Sequence, residues 1–398
     1  MDAAQAPAKK GKISIECILA GIYFFCLPFT VVETPFGSLL KLVSIPIIAI
    51  LVVRLLMGKS EVSLNSVHLF YALYILYSFA CLLNLFTPEA FTTVKDMLLG
   101  FATIMLISMR VYTVEERDFL EWVWLFVGVV CILIVVFSRE VVQDRAVIRV
   151  LGFVEDQNQF CAYFIMASLL CIKRLLERKS LFFVYLVILV LCFYAILKTG
   201  SRGGLLGILA GISAYLVAGI QSRKARIAII AAGLVIILLV VFVLFPMLPE
   251  SIQERYTFDD VVQTGGSGRV QIWRGLIKYT VAKPERIIWG SGVLSSYDIL
   301  QNDPEIQRGS VAHNSFIQIF SDQGLIGLLL FLFVMAACII KPWMTERVYA
   351  CAFISLIAFS MSLTFYTFKP YINIMMMCAM GFEDSLLTKS KEREKKEL

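Results

Sequence analysis

Long apolar segments recur along the whole chain and constrain its fold more than any other feature. A helix needs about 20 apolar residues to cross the hydrocarbon core of a bilayer. Mean hydropathy is +0.82, and charged residues make up only 17% of the sequence, against roughly 25% in ordinary globular domains. We therefore predict twelve transmembrane helices, at 13–33, 38–57, 65–86, 91–109, 119–137, 158–172, 181–198, 203–220, 226–246, 313–340, 346–366 and 370–387.

The apolar segments lack the alternating pattern of membrane-embedded strands, so a β-barrel is disfavoured. Lipid offers the backbone no hydrogen-bond partners, which makes an all-α polytopic membrane protein the predicted fold class. All ten cysteines fall inside the segments without a Cys-x-x-Cys spacing, as is typical of small buried side chains. The two histidines are far apart and have no clustered acidic residues around them, so we predict neither a metal site nor a cofactor.

Basic residues between the segments predict the orientation of the bundle. The positive-inside rule places short loops rich in Lys and Arg in the cytoplasm. One alternate set of loops and ends, including "KKGK" and the tail "TKSKEREKKEL", holds 21 of the 36 Lys and Arg residues. We therefore expect both termini in the cytoplasm and the other loops outside. This signal accounts for most of the net charge of +6, and no nucleic-acid partner is predicted.

The external set contains one large extramembrane element, the 66-residue loop 247–312. We predict three parts of the chain around it. Helices 1 to 6 occupy 1–180, a central part that includes the loop occupies 181–340, and helices 11 and 12 with a basic tail occupy 341–398. Every group that could carry chemistry lies on the predicted outer side, which disfavours a reaction fed directly by cytoplasmic nucleotides.

Within the loop, 268–283 has the spacing of a short amphipathic helix. Its predicted apolar face consists of Val270, Trp273, Ile277 and Val281. Arg269 and Arg274 are five residues apart, so they are expected on different faces. Arginine binds phosphate with two parallel hydrogen bonds and keeps its charge. We interpret Arg269 and Arg274 as candidate substrate-binding residues, with contact to lipid headgroups as the alternative for either one.

His313 begins the tenth apolar segment on its outer side. Partial burial lowers the pKa of a histidine and favours the neutral ring, which can accept a proton from a hydroxyl group. His313 is therefore a candidate general base, and a histidine that packs a helix end is the alternative. His68, near the predicted cytoplasmic start of the third segment, has no candidate partner nearby in sequence and is interpreted as structural.

The stretch "LKTGSRGGLLG" (197–207) connects the seventh and eighth segments outside. Ser201 can cap the eighth helix, which places Arg202 at a helix N-terminus where free N–H groups and the helix dipole favour anions. The dipole repels an arginine there unless an anion joins it. We therefore interpret Arg202 and Ser201 as part of an anion site. The alternative is an arginine that reaches headgroup phosphates.

The stretch "FVEDQNQFCAYF" (153–164) precedes the sixth segment. Its polar side chains, Glu155, Asp156 and Asn158, could bind sugar hydroxyls or orient an arginine. An ordinary polar helix start is the alternative. Asp156 and Asn158 are retained as candidate substrate-binding residues.

One motif carries a family resemblance. "HNSFIQIFSDQGLIG" has His-Asn, nine residues, Gly, two residues and Gly. This spacing resembles the signature of the O-antigen ligase and polymerase superfamily of bacterial membrane glycosyltransferases, whose shared domain would cover about 185–340 here. "TGSRGG", "GRVQIW" and "GSG" are similar to its other recurrent pieces. A twelve-span layout with one large external loop before the tenth span is also similar.

The resemblance implies a GT-C-like helical fold and a place in the bacterial inner membrane. Such enzymes take a glycan from undecaprenyl pyrophosphate at the periplasmic face without a metal or a nucleotide sugar. Their acceptors are lipid A-core sugars, a second lipid-linked glycan or protein hydroxyls. Carried over, the base or acceptor-orienting role falls on His313, pyrophosphate binding on Arg202 with Arg269 or Arg274, and acceptor placement on Asn314.

Two alternatives to a ligase stay open at this point. A repeat-unit polymerase of the same superfamily shares every motif named above. A transporter for polyprenyl-linked or anionic solutes also fits twelve spans, but transporters usually place polar groups near the bilayer midplane on broken helices in related halves. The candidate groups here gather at the outer edge. A nucleotide-sugar glycosyltransferase is disfavoured, because the adjacent acidic pairs that could hold its metal lie in the outer loops.

Overall fold

A computed structural model describes residues 13–59, 62–142, 145–177, 180–219, 227, 238, 240–254, 256, 268–364, 367 and 369–383. The fold is mostly helical. Its helices are α1 Ile15–Phe25, α2 Leu39–Leu56, α3 Ser66–Ala80, α4 Pro88–Ser108, α5 Val114–Phe137, α6 Gln157–Phe160, α7 Tyr163–Leu176, α8 Phe182–Lys198, α9 Arg202–Gly219, α10 Glu250–Glu254, α11 Arg269–Val281, α12 Pro284–Trp289, α13 Ser296–Gln301, α14 Ser315–Trp343, α15 Arg347–Ser360 and α16 Lys369–Ala379.

The strands within the described residues are two or three residues long and occur as four separate pairs. Three pairs are antiparallel hairpins, and one is a parallel pair that joins distant parts of the chain, with Val111 opposite Gly381. The strands are β1 Glu33–Thr34, β2 Gly37–Ser38, β3 Val111–Tyr112, β4 Val141–Val142, β5 Arg145–Ala146, β6 Ile148–Val150, β7 Phe153–Glu155 and β8 Gly381–Phe382.

The prediction of an all-α polytopic membrane protein is confirmed at this level. Six helices of the described part are long and apolar enough to cross a membrane: Leu39–Leu56, Ser66–Leu83, Pro88–Ser108, Val114–Phe137, Gln157–Leu176 and Ser315–Trp343. Four shorter apolar helices accompany them. Most of the ninth predicted segment, 226–246, lies outside the described residues, as do 257–267 of the predicted external loop and the basic tail from 384 onward. The count of twelve and the sidedness of the loop stay predictions.

The sixth predicted segment, the shortest of the twelve, forms the most buried of these six helices. In Gln157–Leu176, 83% of the apolar window is buried, against 22% in Leu39–Leu56. The reason is position, since α7 packs against α5, α8, α9 and α15. A helix surrounded by other helices is apolar on all sides.

Small residues bring α9 close to α15. A Cβ at Gly207 would lie 3.0 Å from the carbonyl oxygen of Ser355, and a Cβ at Gly211 would collide with the Ser355 hydroxyl. Helix pairs in membranes commonly associate through small residues, which let the backbones approach and pack. The close pairing fixes the N-terminus of α9 beside the C-terminus of α15.

The tenth predicted segment, 313–340, is not one continuous span. α14 is broken at Gly324, which has φ 66° and ψ −165°. Gly324 permits this conformation because it lacks a Cβ. The break separates a short helical piece, 315–323, from the apolar piece 325–343. At 1.5 Å per residue the second piece alone spans about 28 Å, close to the thickness of a bilayer core.

Candidate active site

Four segments that are distant in sequence meet at one end of the bundle. They are 157–161 before α7, the turn 199–204 between α8 and α9, 312–315 at the start of α14, and 361–364 after α15. We call this end the site end.

The turn 199–204 begins α9 at Arg202, as the sequence predicted. The Ser201 hydroxyl accepts a hydrogen bond from the Gly204 backbone N–H at 3.2 Å, which is the predicted N-cap. The Ser201 side chain is buried, and Arg202 is half-buried. Since the cap occupies the Ser201 oxygen, the structure gives Ser201 a local structural contact, and its role in substrate binding stays a prediction.

The two glycines after Arg202 let two other segments approach the start of α9. A Cβ at Gly203 would collide with the hydroxyl of Ser362, and a Cβ at Gly204 would lie 2.7 Å from the Cβ of Cys161. The Cys161 sulfur in turn lies 3.1 Å from the Thr199 hydroxyl. The first turn of α9 is therefore held between 157–161 on one side and 361–364 on the other.

Asn314 fastens the start of α14 to the same 361–364 segment. Its side-chain oxygen caps the helix by accepting from the backbone N–H groups of Phe316 and Ile317, at 3.0 and 3.2 Å. Its amide group donates to the Met361 carbonyl at 3.2 Å, and its backbone N–H donates to the Thr364 hydroxyl. The side chain of Asn314 is thus engaged in capping and anchoring, while its predicted contact with an acceptor stays untested.

His313 precedes this cap, is half-buried and has φ 49°, in the left-handed region. Non-glycine residues adopt this region at a cost and mostly where the surroundings impose it. The structure places Gly203, next to Arg202, and Asn314, next to His313, against adjacent residues of one short segment. The two principal candidates, 111 positions apart in the sequence, therefore flank the same turn of the fold.

The loop helix α11 lies against the residue before His313. The indole N–H of Trp273 donates to the Ala312 carbonyl at 2.7 Å. Arg269, at the first position of α11, is half-buried, whereas Arg274 is exposed. The two arginines thus lie on different faces, as expected from their spacing, and their binding roles stay predictions.

The predicted apolar face of α11 is wrong. Val270, Ile277 and Val281 are 41–51% exposed. Ile272 and Leu276 form the buried face instead and pack in a small cluster with Ile299, Leu300 and Ala312. The sequence pattern contains two apolar stripes, and only the tertiary contacts with α13 and the start of α14 select which one is buried.

Asp156 and Asn158 lie at the edge of the site end. Asp156 caps α6 by accepting from the Gln159 backbone N–H at 2.8 Å and is exposed. Asn158 is half-buried. Burial raises the pKa of the neighbouring Glu155 carboxyl, and a hydrogen bond from the Asp156 backbone N–H opposes part of this rise. The predicted polar helix start is thus present, and sugar binding by these residues stays a prediction.

The loop before His313 carries three exposed cations, Arg274, Lys278 and Arg308. Within the described part of the chain, Arg274, Lys278 and Arg308 form no ion pair. Arg308 is near the start of α11, because a Cβ at Gly268 would lie 3.5 Å from its guanidinium. Arg308 was not among the residues predicted from the sequence. Its position five residues before His313 is the signal that could have identified it.

Two buried polar residues of the motif were also missed. Gln318 and Asp322 are fully buried in the first piece of α14 and hydrogen-bond to each other at 2.8 Å. An acidic residue inside a predicted span is by default a functional candidate, so Asp322 could have been singled out. Among the described residues, no group of three His, Cys, Asp or Glu side chains has the arrangement of a metal site.

Comparison with known proteins gives one family match. Residues 187–332 match the family described as O-Antigen ligase. No curated protein matches the sequence. Among solved structures, a chain described under "structural coordination of polymerization and crosslinking by a peptidoglycan synthase complex" is similar, with 15% identity and a TM-score of 0.47. That similarity covers 80% of this chain and 97% of the solved one.

Proposed function

We propose that this chain is a membrane glycosyltransferase that works at the site end, because residues 187–332 match the family described as O-Antigen ligase. The donor would be a glycan linked to undecaprenyl pyrophosphate, and the acceptor a sugar hydroxyl at the outer face of the inner membrane. The observation that carries the proposal is the convergence of the Arg202 turn and the His313 segment on 361–364.

The charge distribution supports a pyrophosphate donor. Arg202 begins α9, where the free N–H groups and the dipole of the helix already attract an anion. Arg269 is half-buried in the first turn of α11, and the exposed Arg274 and Arg308 add positive charge nearby. Guanidinium groups fixed in advance stabilise the negative charge that grows on the leaving pyrophosphate in the transition state. Arg202 is assigned to the reacting phosphate, and Arg269 and Arg274 to binding.

In the proposed reaction, the acceptor hydroxyl oxygen attacks the anomeric carbon while the bond from that carbon to the pyrophosphate oxygen breaks. The hydroxyl proton passes to the neutral His313 ring. Undecaprenyl pyrophosphate leaves as an anion held by the arginines, and a displacement in line inverts the anomeric centre. No nucleotide or metal enters these steps. A general base of this kind contributes about 10²–10⁴-fold to the rate.

Asn314, Ser201, Asp156 and Asn158 are proposed around the acceptor and the sugar. Asn314 acts by fixing the backbone next to His313, which its two capping bonds support. Asp156 and Asn158 present polar groups at the rim, where the sugar hydroxyls of a glycan would lie. Lipid A-core sugars and a second lipid-linked glycan are the two proposed acceptors.

The test uses purified protein in vesicles with an undecaprenyl-pyrophosphate-linked glycan, with and without lipid A-core. Transfer only to lipid A-core identifies a ligase, and a ladder of products from donor alone identifies a polymerase. We expect His313→Ala to lower transfer about 10²–10⁴-fold, while the matched His68→Ala variant keeps its rate in the folded protein. His68 is the appropriate control because it caps α3 and bonds to Ser108 at the other end of the bundle.

Equal activity of His313→Ala and wild type would exclude the proposed chemistry. Movement of the lipid-linked glycan across the vesicle membrane without a new glycosidic bond would identify a transporter instead.

A further inference from the structure

Both backbone groups of Ala312, the residue before His313, are held by side chains from different elements. The Ala312 N–H donates to the side-chain oxygen of Gln318 at 2.8 Å. The Ala312 carbonyl accepts from the Trp273 indole at 2.7 Å. The first hydrogen bond comes from the first piece of α14 and the second from the loop helix α11. We call these two hydrogen bonds to Ala312 the clamp. Ala312 itself is completely buried.

The Gln318 side chain is oriented by a buried carboxylate. Its amide nitrogen donates to Asp322 at 2.8 Å and to the Ser296 hydroxyl at 2.6 Å. An amide whose NH₂ group is engaged in this way must present its oxygen in the opposite direction, toward Ala312. Gln318 and Asp322 are both fully buried, where a hydrogen bond is stronger than in water and an unsatisfied partner is costly.

Asp322 connects this pair to the external loop. Its carboxylate accepts from the Leu294 backbone N–H at 3.0 Å and from the Ser295 hydroxyl at 3.1 Å. Asp322 therefore accepts bonds both from its own helix and from the loop segment before α13. The loop reaches it through the helix break, since the Gly292 N–H donates to the Asp322 backbone carbonyl at 2.8 Å.

The two glycines at this junction leave no room for side chains. Gly290 and Gly324 both have positive φ, and a Cβ on either would collide with the backbone of the other segment. The spacing of the first motif glycine, ten residues after Asn314, therefore corresponds to the point at which the loop inserts into α14. The loop and the start of α14 form one interlocked unit, with the residue before His313 inside it.

We infer that Trp273, Gln318 and Asp322 are positioning residues that impose the left-handed backbone of His313 and so fix the direction of its ring. The inference rests on the proposed role of His313 as base. His313 at φ 49° is held in a region that a non-glycine residue adopts only at an energetic cost. The two hydrogen bonds to Ala312 hold the backbone on the N-terminal side of His313, and the Asn314 cap holds it on the C-terminal side.

The environment of the His313 ring can be measured without an activity assay. It contains two histidines, so hydrogen–deuterium exchange at the imidazole C2 positions, measured by mass spectrometry across pH, reports His313 and His68 separately. His68 is held by Asn65 and Ser108, away from the clamp, and serves as the internal control.

Trp273→Phe keeps the ring and removes the donor to Ala312. Gln318→Met keeps the length of the side chain and removes its three polar contacts, with Ala312, Ser296 and Asp322. In each variant we expect at least a twofold change in C2 exchange at His313, none at His68, and a fall in kcat of about tenfold with KM little changed, because misplacing a catalytic group by a fraction of an ångström costs rate rather than binding.

A matched pair at Asp322 separates hydrogen bonding from charge. In Asp322→Asn the amide oxygen can accept from Leu294 and Gln318 while the NH₂ group donates to Ser295, so both readouts should stay within about threefold of wild type. Asp322→Leu removes every acceptor and should reproduce the Gln318→Met result. If Asp322→Leu does not fold, the partly exposed Trp273→Phe decides the question.

Unchanged exchange at His313 in Trp273→Phe and Gln318→Met would overturn the inference, whatever their activity. Changed exchange with wild-type kcat would overturn it as well, because the contacts would then be structural only. Failure of the proposed function has a different signature, full activity in His313→Ala, and leaves the exchange result able to show whether the clamp holds the ring.

Discussion

The two ends of the helical bundle use charge in opposite ways. At the end opposite the site, Glu121 is fully buried and accepts from Lys173 and Arg174, both at 2.7 Å, and from the Tyr349 hydroxyl. Arg110 bridges two buried carboxylates there. At the site end, Arg274, Lys278 and Arg308 form no ion pair within the described residues. The buried carboxylate at the site end, Asp322, accepts only from neutral groups.

This difference indicates that the two ends have different roles. Charges that are neutralised inside the chain hold helices together and leave little field outside. Exposed arginines that have no ion pair inside the chain keep their hydrogen-bond donors available to an anionic ligand. The end opposite the site is therefore expected to respond to mutation in stability, and the site end in activity.

The largest effect is expected on stability, from removing the buried carboxylate of Glu121 that neutralises two cations. Glu121→Gln removes the carboxylate that Lys173 and Arg174 share and leaves them with Glu346 at 3.2 Å and Asp118 at 2.9 Å. Breaking a buried pair costs about 3–5 kcal/mol, and the remaining partners place the expected cost near the lower end of that range. The midpoint of denaturant unfolding in detergent should fall accordingly, while the protein that stays folded transfers glycan at the wild-type rate. Lost activity at unchanged stability would break the proposed division between the ends.

At the site end, Arg202 is the residue whose replacement should lower activity rather than stability. Arg202→Met should lower transfer about 10²–10³-fold, because it removes a preorganised positive charge from the leaving group, with little change in the unfolding midpoint. Arg202→Lys should recover part of the rate, since lysine keeps the charge but not the two parallel hydrogen bonds. Arg117→Met, which removes an ion pair to Glu346 at the opposite end, is the control and should retain the rate.

The contact between the start of α9 and segment 361–364 gives a prediction of intermediate size. Gly203→Ala would push its new methyl group into Ser362, and overpacking of this kind costs about 1–3 kcal/mol. Activity should fall together with stability, because the start of α9 moves away from 361–364. The second change Ser362→Gly removes the collision and should restore both. A double variant no better than Gly203→Ala would show that these segments are not in contact.

The smallest effect concerns the pH dependence of Glu155. Burial raises the pKa of its carboxyl above the usual 4.5, so the fold favours the protonated form. The contribution stabilises the fold below about pH 4.5 and is lost as pH rises through the folded-state pKa. Glu155→Gln should therefore raise the free energy of unfolding slightly at neutral pH, by about 0.5 kcal/mol or less. The gain should vanish near pH 4, and a gain that persists there would contradict burial as the cause.

The sequence predicted most of the helices and several of their ends. The apolar segments marked the helices, and local capping chemistry marked the start of α9 at Ser201. Each of these signals is local, because a helix bonds to itself and an N-cap bonds within three residues. The spacing of the His-Asn motif likewise carried the resemblance to the family that residues 187–332 match.

The candidate site was only partly predictable. His313 and Arg202 were selected from their chemistry and from the resemblance, but nothing in the sequence indicates that Met361 and Ser362 lie beside them. Gln318 and Asp322 were hidden inside an apolar segment, and the buried face of α11 was assigned to the wrong stripe. Contacts of this kind join residues tens to hundreds of positions apart, so no local pattern encodes them.

By itself, the sequence determined that this chain is a helical membrane protein with a glycosyltransferase-like motif, because hydrophobic length and residue spacing act over short stretches. Only the tertiary structure decided where α14 breaks, which loop segment enters the break, and which turn the Arg202 and His313 segments share. These features depend on the close packing of backbones at Gly203, Gly290 and Gly324, and that packing exists only once distant segments have met.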